Sequence, residues 1–217
     1  MNQIKNTIKI LKPRIPLELP VFKLTEDDLA ESESISDVLI MDCHLENHNA
    51  EKIYFKEALL KKAVFTNVTL ENSEFTDIRF ENCNLSNVNF IGSSIHRAEF
   101  INCKLIGINL SESTIRNVVF KECNGQYGNF RFADCKQVIF SGCNLSFSDF
   151  QESELCRVEF KNTDMTQGQM FGTKLNGIDF SSCEIDGLRA RIEDVKGVIV
   201  TPAQAISLAG LMGIVIK

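Results

Sequence analysis

From Phe55 to Ile185 nearly every fifth residue is apolar: Phe55, Leu60, Phe65, Leu70, Phe75 and Phe80 open the run, and Met165, Met170, Leu175, Phe180 and Ile185 close it. The residues two places earlier are small or compact, as at Val88, Ser93, Ala98, Cys103 and Ile108, and only Gly125 leaves a central place with no side chain. Strands repeat every two residues and helices every 3.6, so a period of five belongs to neither. Self-similarity sustained over most of a chain specifies a repeat architecture and outranks local propensity.

Units such as Cys83-Asn-Leu-Ser-Asn87, Ala98-Glu-Phe-Ile-Asn102 and Cys143-Asn-Leu-Ser-Phe147 resemble the pentapeptide-repeat family, whose pattern is A-(D/N)-L-x-x. The resemblance implies an all-β solenoid: a right-handed quadrilateral β-helix with four pentapeptides to a coil and about eight coils. The sequence tests that coil independently. Cys43, Cys83, Cys103, Cys123, Cys143 and Cys183 all differ by multiples of twenty, and so do Phe80, Phe100, Phe120, Phe140, Phe160 and Phe180. One coil per twenty residues stacks like on like at the strand spacing of about 4.8 Å. Rings at that spacing suit offset stacking. The four faces are named below by their central residues in one coil: Ile95, Phe100, Leu105 and Leu110. The Phe ladder lies on the Phe100 face, and the Cys ladder lies on the Leu105 face beside Leu45, Leu85 and Leu145.

Two residues after the central place, Asn or Gly recurs, as at Asn67, Asn82, Asn87, Gly92, Asn102, Gly107 and Gly142. These residues tolerate the φ > 0 that tight turns need. Asn and Asp also crowd the place before the central residue (Asn84, Asn89, Asn109, Asn144, Asp149), where their side chains can bond local backbone. Turn formation, not ligand binding, is the reading for these amides.

The formal charge of -6 argues against nucleic acid as a partner. Of the eight Cys, six sit in the ladder and none is in a C-x-x-C pair. Stacked Cβ atoms about 4.8 Å apart are too far apart for a disulfide, which wants about 3.8 Å. The ladder is therefore read as buried free thiols in a reducing, cytoplasmic setting. No apolar run approaches 18 residues, so no membrane partner or span is expected. His44, His48 and His96 form no ligand pattern, and neither metal nor cofactor is expected.

The domain organisation follows. Residues 1–24, with Pro13, Pro16 and Pro20, read as an extended arm laid along or across the first coil. Residues 25–34 read as a short capping helix opened by Thr25-x-x-Asp28, with Leu29 and Ala30 covering coil one. The β-helix spans 35–200, its register unbroken from 55 onward. Residues 201–217 carry a helix start at Thr201-Pro202-Ala203-Gln204 and a C-cap at Gly213. That helix has almost no polar side, so a second molecule is expected to cover it. The expected homodimer interface is Ile206, Leu208, Ala209, Leu211, Met212, Ile214, Val215 and Ile216. Outward aromatics Tyr127, Phe132 and Phe147 form a candidate partner patch beside Gly125 and Gly128, which empty two interior places.

No nucleophile–base pair or phosphate loop occurs, so an enzyme is not expected. The C-terminal segment and symmetric rod resemble the Qnr-type quinolone-resistance group. That resemblance implies binding to DNA gyrase or topoisomerase IV by likeness to duplex DNA, with fluoroquinolone protection. The alternative is a structural or adaptor solenoid, or an immunity protein, with no topoisomerase partner.

Overall fold

The computed structural model describes residues 8–215. It is a parallel β-solenoid of about seven turns ending in one short helix. Every ladder between coils pairs residues twenty apart: Ile95 lies between Phe75 and Ile115, and Phe100 between Phe80 and Phe120. Six eight-residue strands, Tyr54–Lys61, Glu74–Glu81, Ser94–Ile101, Thr114–Lys121, Asp134–Ser141 and Glu154–Lys161, run through the Ile95 and Phe100 faces in one sheet. The Leu105 and Leu110 faces are held from the third coil on by single bridges such as Asn84–Lys104–Asn124 and Asn89–Asn109–Asn129. Their corners are hydrogen-bonded turns, Val88 N–H to Leu85 O and Ser93 N–H to Phe90 O.

The interior is made by the two inward places of each unit. Phe80, Phe100, Phe120 and Phe140 stack with centroids 4.8 Å apart, and Phe160 and Phe180 continue the column at 5.1 and 5.3 Å. The ladder cysteines are buried and free, but they are more than small hydrophobes. Cys103 Sγ donates to Phe80 O and Ile101 O at 3.4 Å, and Cys83, Cys123 and Cys143 repeat the pattern. Thr163 does the same in its place, and Ser93 and Ser113 do so on the Ile95 face. The column selects small donors that reach a carbonyl of the preceding coil. Burial pushes the Cys43 thiol up to about 11 and Cys135 up to about 12, so these sulfurs stay protonated.

The corner backbone is left-handed whatever residue occupies it: Asn87 and Gly107 at φ 56 and 66, but also Arg97, Glu112, Tyr127, Phe132 and Phe147 at φ 50 to 61. Ladder bonds on both sides fix the conformation, and side chain preference only modulates its cost.

Four expectations are corrected. Gly125 and Gly128 do not empty the core, because Leu145 leans over the first while Phe130 and Ile108 close on the second. The 25–34 helix is a single 3₁₀ turn, Glu26–Leu29, with Thr25 N–H and Oγ bonded to Asp28; Leu24 and Leu29 cap coil one, and Ala30 is exposed. The twenty-residue register holds to Ile199, which bridges Asp179, but the coil is distorted before it. Glu193 falls on an inward place, where a charge has no partner. Residues 192–197 form turns instead, and the buried Asp194 carboxylate takes the Gly172 and Arg191 amides at 2.8 and 3.1 Å.

The fourth correction concerns the arm. Only Val21–Phe22 pairs with the first coil, at Leu39–Ile40. The rest runs along the corner between the Ile95 and Phe100 faces. Arg14 N–H bonds Asp77, Leu11 N–H bonds Asn117, Lys9 O accepts from Gln137, and Ile8 N–H reaches Glu159. Asp77 and Asn117 are buried as a result. The first seven residues, including Ile4 and Lys5, lie outside the described residues.

Candidate functional site

Two surfaces stand apart from the regular wall, and both are made of apolar side chains that the solenoid has no use for. The first is the corner between the Leu105 and Leu110 faces. Its column begins as an amide ladder, with Asn67 donating to Asn47 at 3.1 Å and Asn87 to Asn67 at 3.0 Å. Gly107 interrupts it. Tyr127 and Phe147 then stack at 5.2 Å with planes 15° apart.

Both rings are held outward by a backbone bonded into the ladder, Tyr127 N–H to Ser146 O and Phe147 N–H to Thr166 O. Phe132, one corner away, is also exposed, with the Arg131 guanidinium 5.5 Å from its ring centre. Arg131 also pairs with Asp149 at 3.4 Å. Sequence reasoning placed the three aromatics and read Asp149 as a turn former, which its bond from the Gln151 amide at 2.9 Å matches, but did not single out Arg131 or its pairing with Asp149. Their spacing of 18, one coil minus two, was the available signal. A bulky residue at φ near +60 costs roughly 1–2 kcal/mol relative to its relaxed conformation, and three occur here together.

The Leu105 face beside the stack carries exposed Glu46, Glu184 and Asp186 and half-buried Asp164, against the single cation Lys104. Its asparagines serve the backbone: Asn84 Oδ1 accepts from Ser86 N–H and Oγ–H at 3.2 and 2.7 Å, and Asn144 does the same for Ser146. What this edge offers is planar rings, a guanidinium and fixed carboxylates on a rigid convex surface. Among the described residues no group of His, Cys, Asp or Glu is placed to hold a metal.

The second surface is the C-terminal end. Helix α1, Pro202–Ala209, starts at a reciprocal cap in which Gln204 N–H bonds Thr201 Oγ and Thr201 N–H bonds Gln204 Oε1. A 3₁₀ turn, Gly210–Met212, continues it to Gly213 at φ 71. Gln204 Nε2 ties the helix down on Phe180 O and Cys183 O at 2.8 and 2.7 Å. The expected interface residues split. Leu208 and Leu211 pack on the last coil, with Ala209 half-buried beside them. Ile206, Met212, Ile214 and Val215 remain at least half exposed. Residues 214–215 form no strand, and Ile216 lies outside the described residues. No helix among the described residues is long and apolar enough to cross a membrane.

A search of curated proteins found no match. Solved structures match at low identity. HetL, a pentapeptide repeat protein involved in heterocyst differentiation regulation from the cyanobacterium Nostoc sp. strain PCC 7120, is 12% identical over 78% of this chain and 90% of its own, with a TM-score of 0.42. Trypsin-treated QnrB1, a plasmid-mediated fluoroquinolone resistance protein, is 17% identical over 92% of this chain and 98% of its own, with a TM-score of 0.39. Rfr23 from the cyanobacterium Cyanothece 51142 is 15% identical over 75% of this chain and 91% of its own, with a TM-score of 0.27. Two family models match in sequence: pentapeptide repeat region over residues 73–141, and pentapeptide repeats (8 copies) over 139–177. They cover the coils whose twenty-residue stacking is most regular, and residues 73–177 are a pentapeptide-repeat region.

Proposed function

We propose that the protein is a non-catalytic binding rod that engages a type II topoisomerase, DNA gyrase or topoisomerase IV, through the edge carrying Tyr127, Phe132 and Phe147. One observation carries the reading: three large aromatics are exposed at left-handed corners whose other occupants are all polar, charged or Gly. Exposed, rigid aromatics flanked by an arginine have the composition of a protein-binding hot spot. The adjoining Leu105 face carries acids at its two ends, Glu46 on the first coil and Asp164, Glu184 and Asp186 on the last coils, and these supply part of the duplex-like charge that the Qnr-type resemblance calls for. In this reading the apolar C-terminal end pairs two copies into a longer rod, and binding protects the enzyme from fluoroquinolones.

Supercoiling by gyrase, with and without ciprofloxacin, tests it. Micromolar protein should inhibit the enzyme or rescue it from the drug, and Tyr127→Asn with Phe147→Asn should abolish that effect. If the wild-type protein does neither, the topoisomerase reading fails. A second reading, an adaptor or immunity solenoid without that partner, is favoured by the ion-paired patchwork of the other faces: Arg79–Glu99, Arg97–Asp77 and Lys61–Glu81 alternate in sign along the rod.

A further inference from the structure

The folded-back arm creates a surface that neither its sequence nor the coil predicts. It is two-sided. Ile8, Ile10, Pro13 and Ile15 are half-buried, whereas Lys9, Leu11, Lys12, Arg14 and Leu17 are exposed. Leu17 is uncovered over its whole side chain. Extended backbone with alternate residues on the wall puts cations and leucines on the same outward side.

The arm is pinned to one straight edge. Its contacts with the corner run from Asp77 to Gln137, three coils apart, or about 14 Å at the strand spacing, and Ile8 reaches on to Glu159. The neighbouring Ile95 face has already neutralised its nearest cations, Arg97 with Asp77 and Arg116 with Asp134. The arm therefore adds unneutralised charge. Lys9, Lys12 and Arg14 join Lys136 and Arg157, all exposed, against the exposed carboxylates of Glu18, Glu74 and Glu154. The Leu105 face, which holds the acidic excess, is the wall opposite the Ile95 face. Salt with a Debye length of about 8 Å screens it from this edge.

We propose that this edge docks on an anionic lipid bilayer, with the cations against the headgroups and Leu11 and Leu17 entering the headgroup layer. Basic residues interleaved with exposed leucines are the chemistry of an interfacial contact. A nucleic-acid strip would instead interleave aromatics for base stacking, and none of the arm's exposed residues is aromatic. The expectation of no membrane partner rested on the lack of a long apolar run, which a surface contact does not need; fixing the arm along a rigid rod also removes the ordering cost that a free segment would bear. The proposal is independent of the topoisomerase reading and uses a different edge.

Co-sedimentation of the full chain with phosphatidylcholine vesicles, with and without phosphatidylserine, tests it. Binding is expected only with phosphatidylserine. Lys9→Ala, Lys12→Ala and Arg14→Ala together should lower it about a hundredfold, at roughly fivefold per cation. Leu11→Ser with Leu17→Ser should lower it about tenfold, and Lys104→Ala on the opposite wall should leave it unchanged. No binding to phosphatidylserine vesicles overturns the proposal. So does lipid binding indifferent to the two leucines in a protein that holds duplex DNA equally well, which would make the edge a general polyanion strip. Should the triple variant lose its fold, the leucine pair and the salt dependence of wild-type binding decide: release by salt and weakening by the leucine changes support the bilayer, and failure of either overturns it.

Discussion

Arg97 grips Asp77 with two parallel hydrogen bonds, Nε to Oδ1 and Nη2 to Oδ2, both 2.6 Å. The two side chains are 16% and 3% exposed, and Asp77 Oδ1 also accepts the Arg14 amide at 2.9 Å. One carboxylate thus joins two coils and the arm. Asp77→Ala should destabilise the protein by about 3 kcal/mol, because it leaves a partly buried guanidinium unpaired. It should also speed tryptic cleavage after Arg14 and Lys9. Asp77→Asn retains an oxygen for the Arg14 amide, so its arm should be cleaved more slowly than that of the alanine variant. Urea denaturation and a proteolysis time course measure the two effects, and equal cleavage of both variants would mean the arm is held elsewhere.

The same cluster predicts a two-step acid response. Burial alone would raise the Asp77 carboxyl, but the Arg97 hydrogen bonds, the Arg14 amide and the two guanidinium charges outweigh it and hold the pKa below its ordinary value. Its unfolded pKa is about 3.9, so its contribution is full above that pH and is lost as pH falls through the folded value. His96 is also depressed, by burial and then by the Arg97 charge. The unfolded chain therefore takes up the His96 proton first, and stability begins to fall as pH drops through about 6.5. Chemical denaturation across pH should show both windows. His96→Gln should flatten the upper one and Asp77→Asn the lower, and a profile unchanged by either would contradict the assignment.

Phe120 sits between Phe100 and Phe140 with 4.8 Å to each ring and 1% of its surface exposed. Phe120→Ala should cost about 3–5 kcal/mol. In a solenoid each coil contacts only its neighbours. Loss of hydrogen-exchange protection should therefore centre on the strands Ser94–Ile101, Thr114–Lys121 and Asp134–Ser141 and spare the terminal coils. Uniform loss along the rod would show a more global cooperativity than nearest-neighbour stacking provides.

The interior was legible in the sequence because stacking makes each column a repeated vote. Cys83, Cys103, Cys123 and Cys143 announce a shared environment without any knowledge of it. The corners were half legible: Asn87 and Gly107 reveal a left-handed turn, but Glu112 and Tyr127 adopt it only because ladder bonds impose it. The local distortion at Asp194 had a signal in Glu193, a charge on an inward place. The arm's course had none. Ile8 and Glu159 are 151 residues apart, and a non-repeating segment leaves no periodic trace of the wall it lies on.

The aromatic edge can be separated from the fold. Asn occupies the left-handed region at lower cost than Tyr or Phe, whereas the lost stacking contributes about 0.5–1.5 kcal/mol. Tyr127→Asn with Phe147→Asn should therefore leave denaturation within about 1 kcal/mol of wild type, by the near cancellation of these terms, with the two new amides able to pair across one coil beyond the gap at Gly107. If this stable double variant no longer binds a partner that the wild type holds, the patch is assigned to binding. A large destabilisation would instead make the rings structural.

Gln204 decides whether the C-terminal end is a cap, an interface or both. Its side chain completes the helix cap and bonds two carbonyls of the last coil. Gln204→Ala should cost about 2 kcal/mol and release Leu208 and Leu211 from the coil they cover. Pairing of two copies needs something further: Ile206 and Met212 presented outward by a docked helix. Ile206→Glu with Met212→Glu should leave the monomer's denaturation unchanged, since both residues are exposed, yet abolish self-association in sedimentation velocity. Gln204→Ala should weaken association indirectly, through the undocked helix, and at a cost in stability that the glutamate pair does not share. If the glutamate variant and a chain truncated after Val200 both sediment as the wild type does, pairing does not use this end, and the helix serves only to close the last coil.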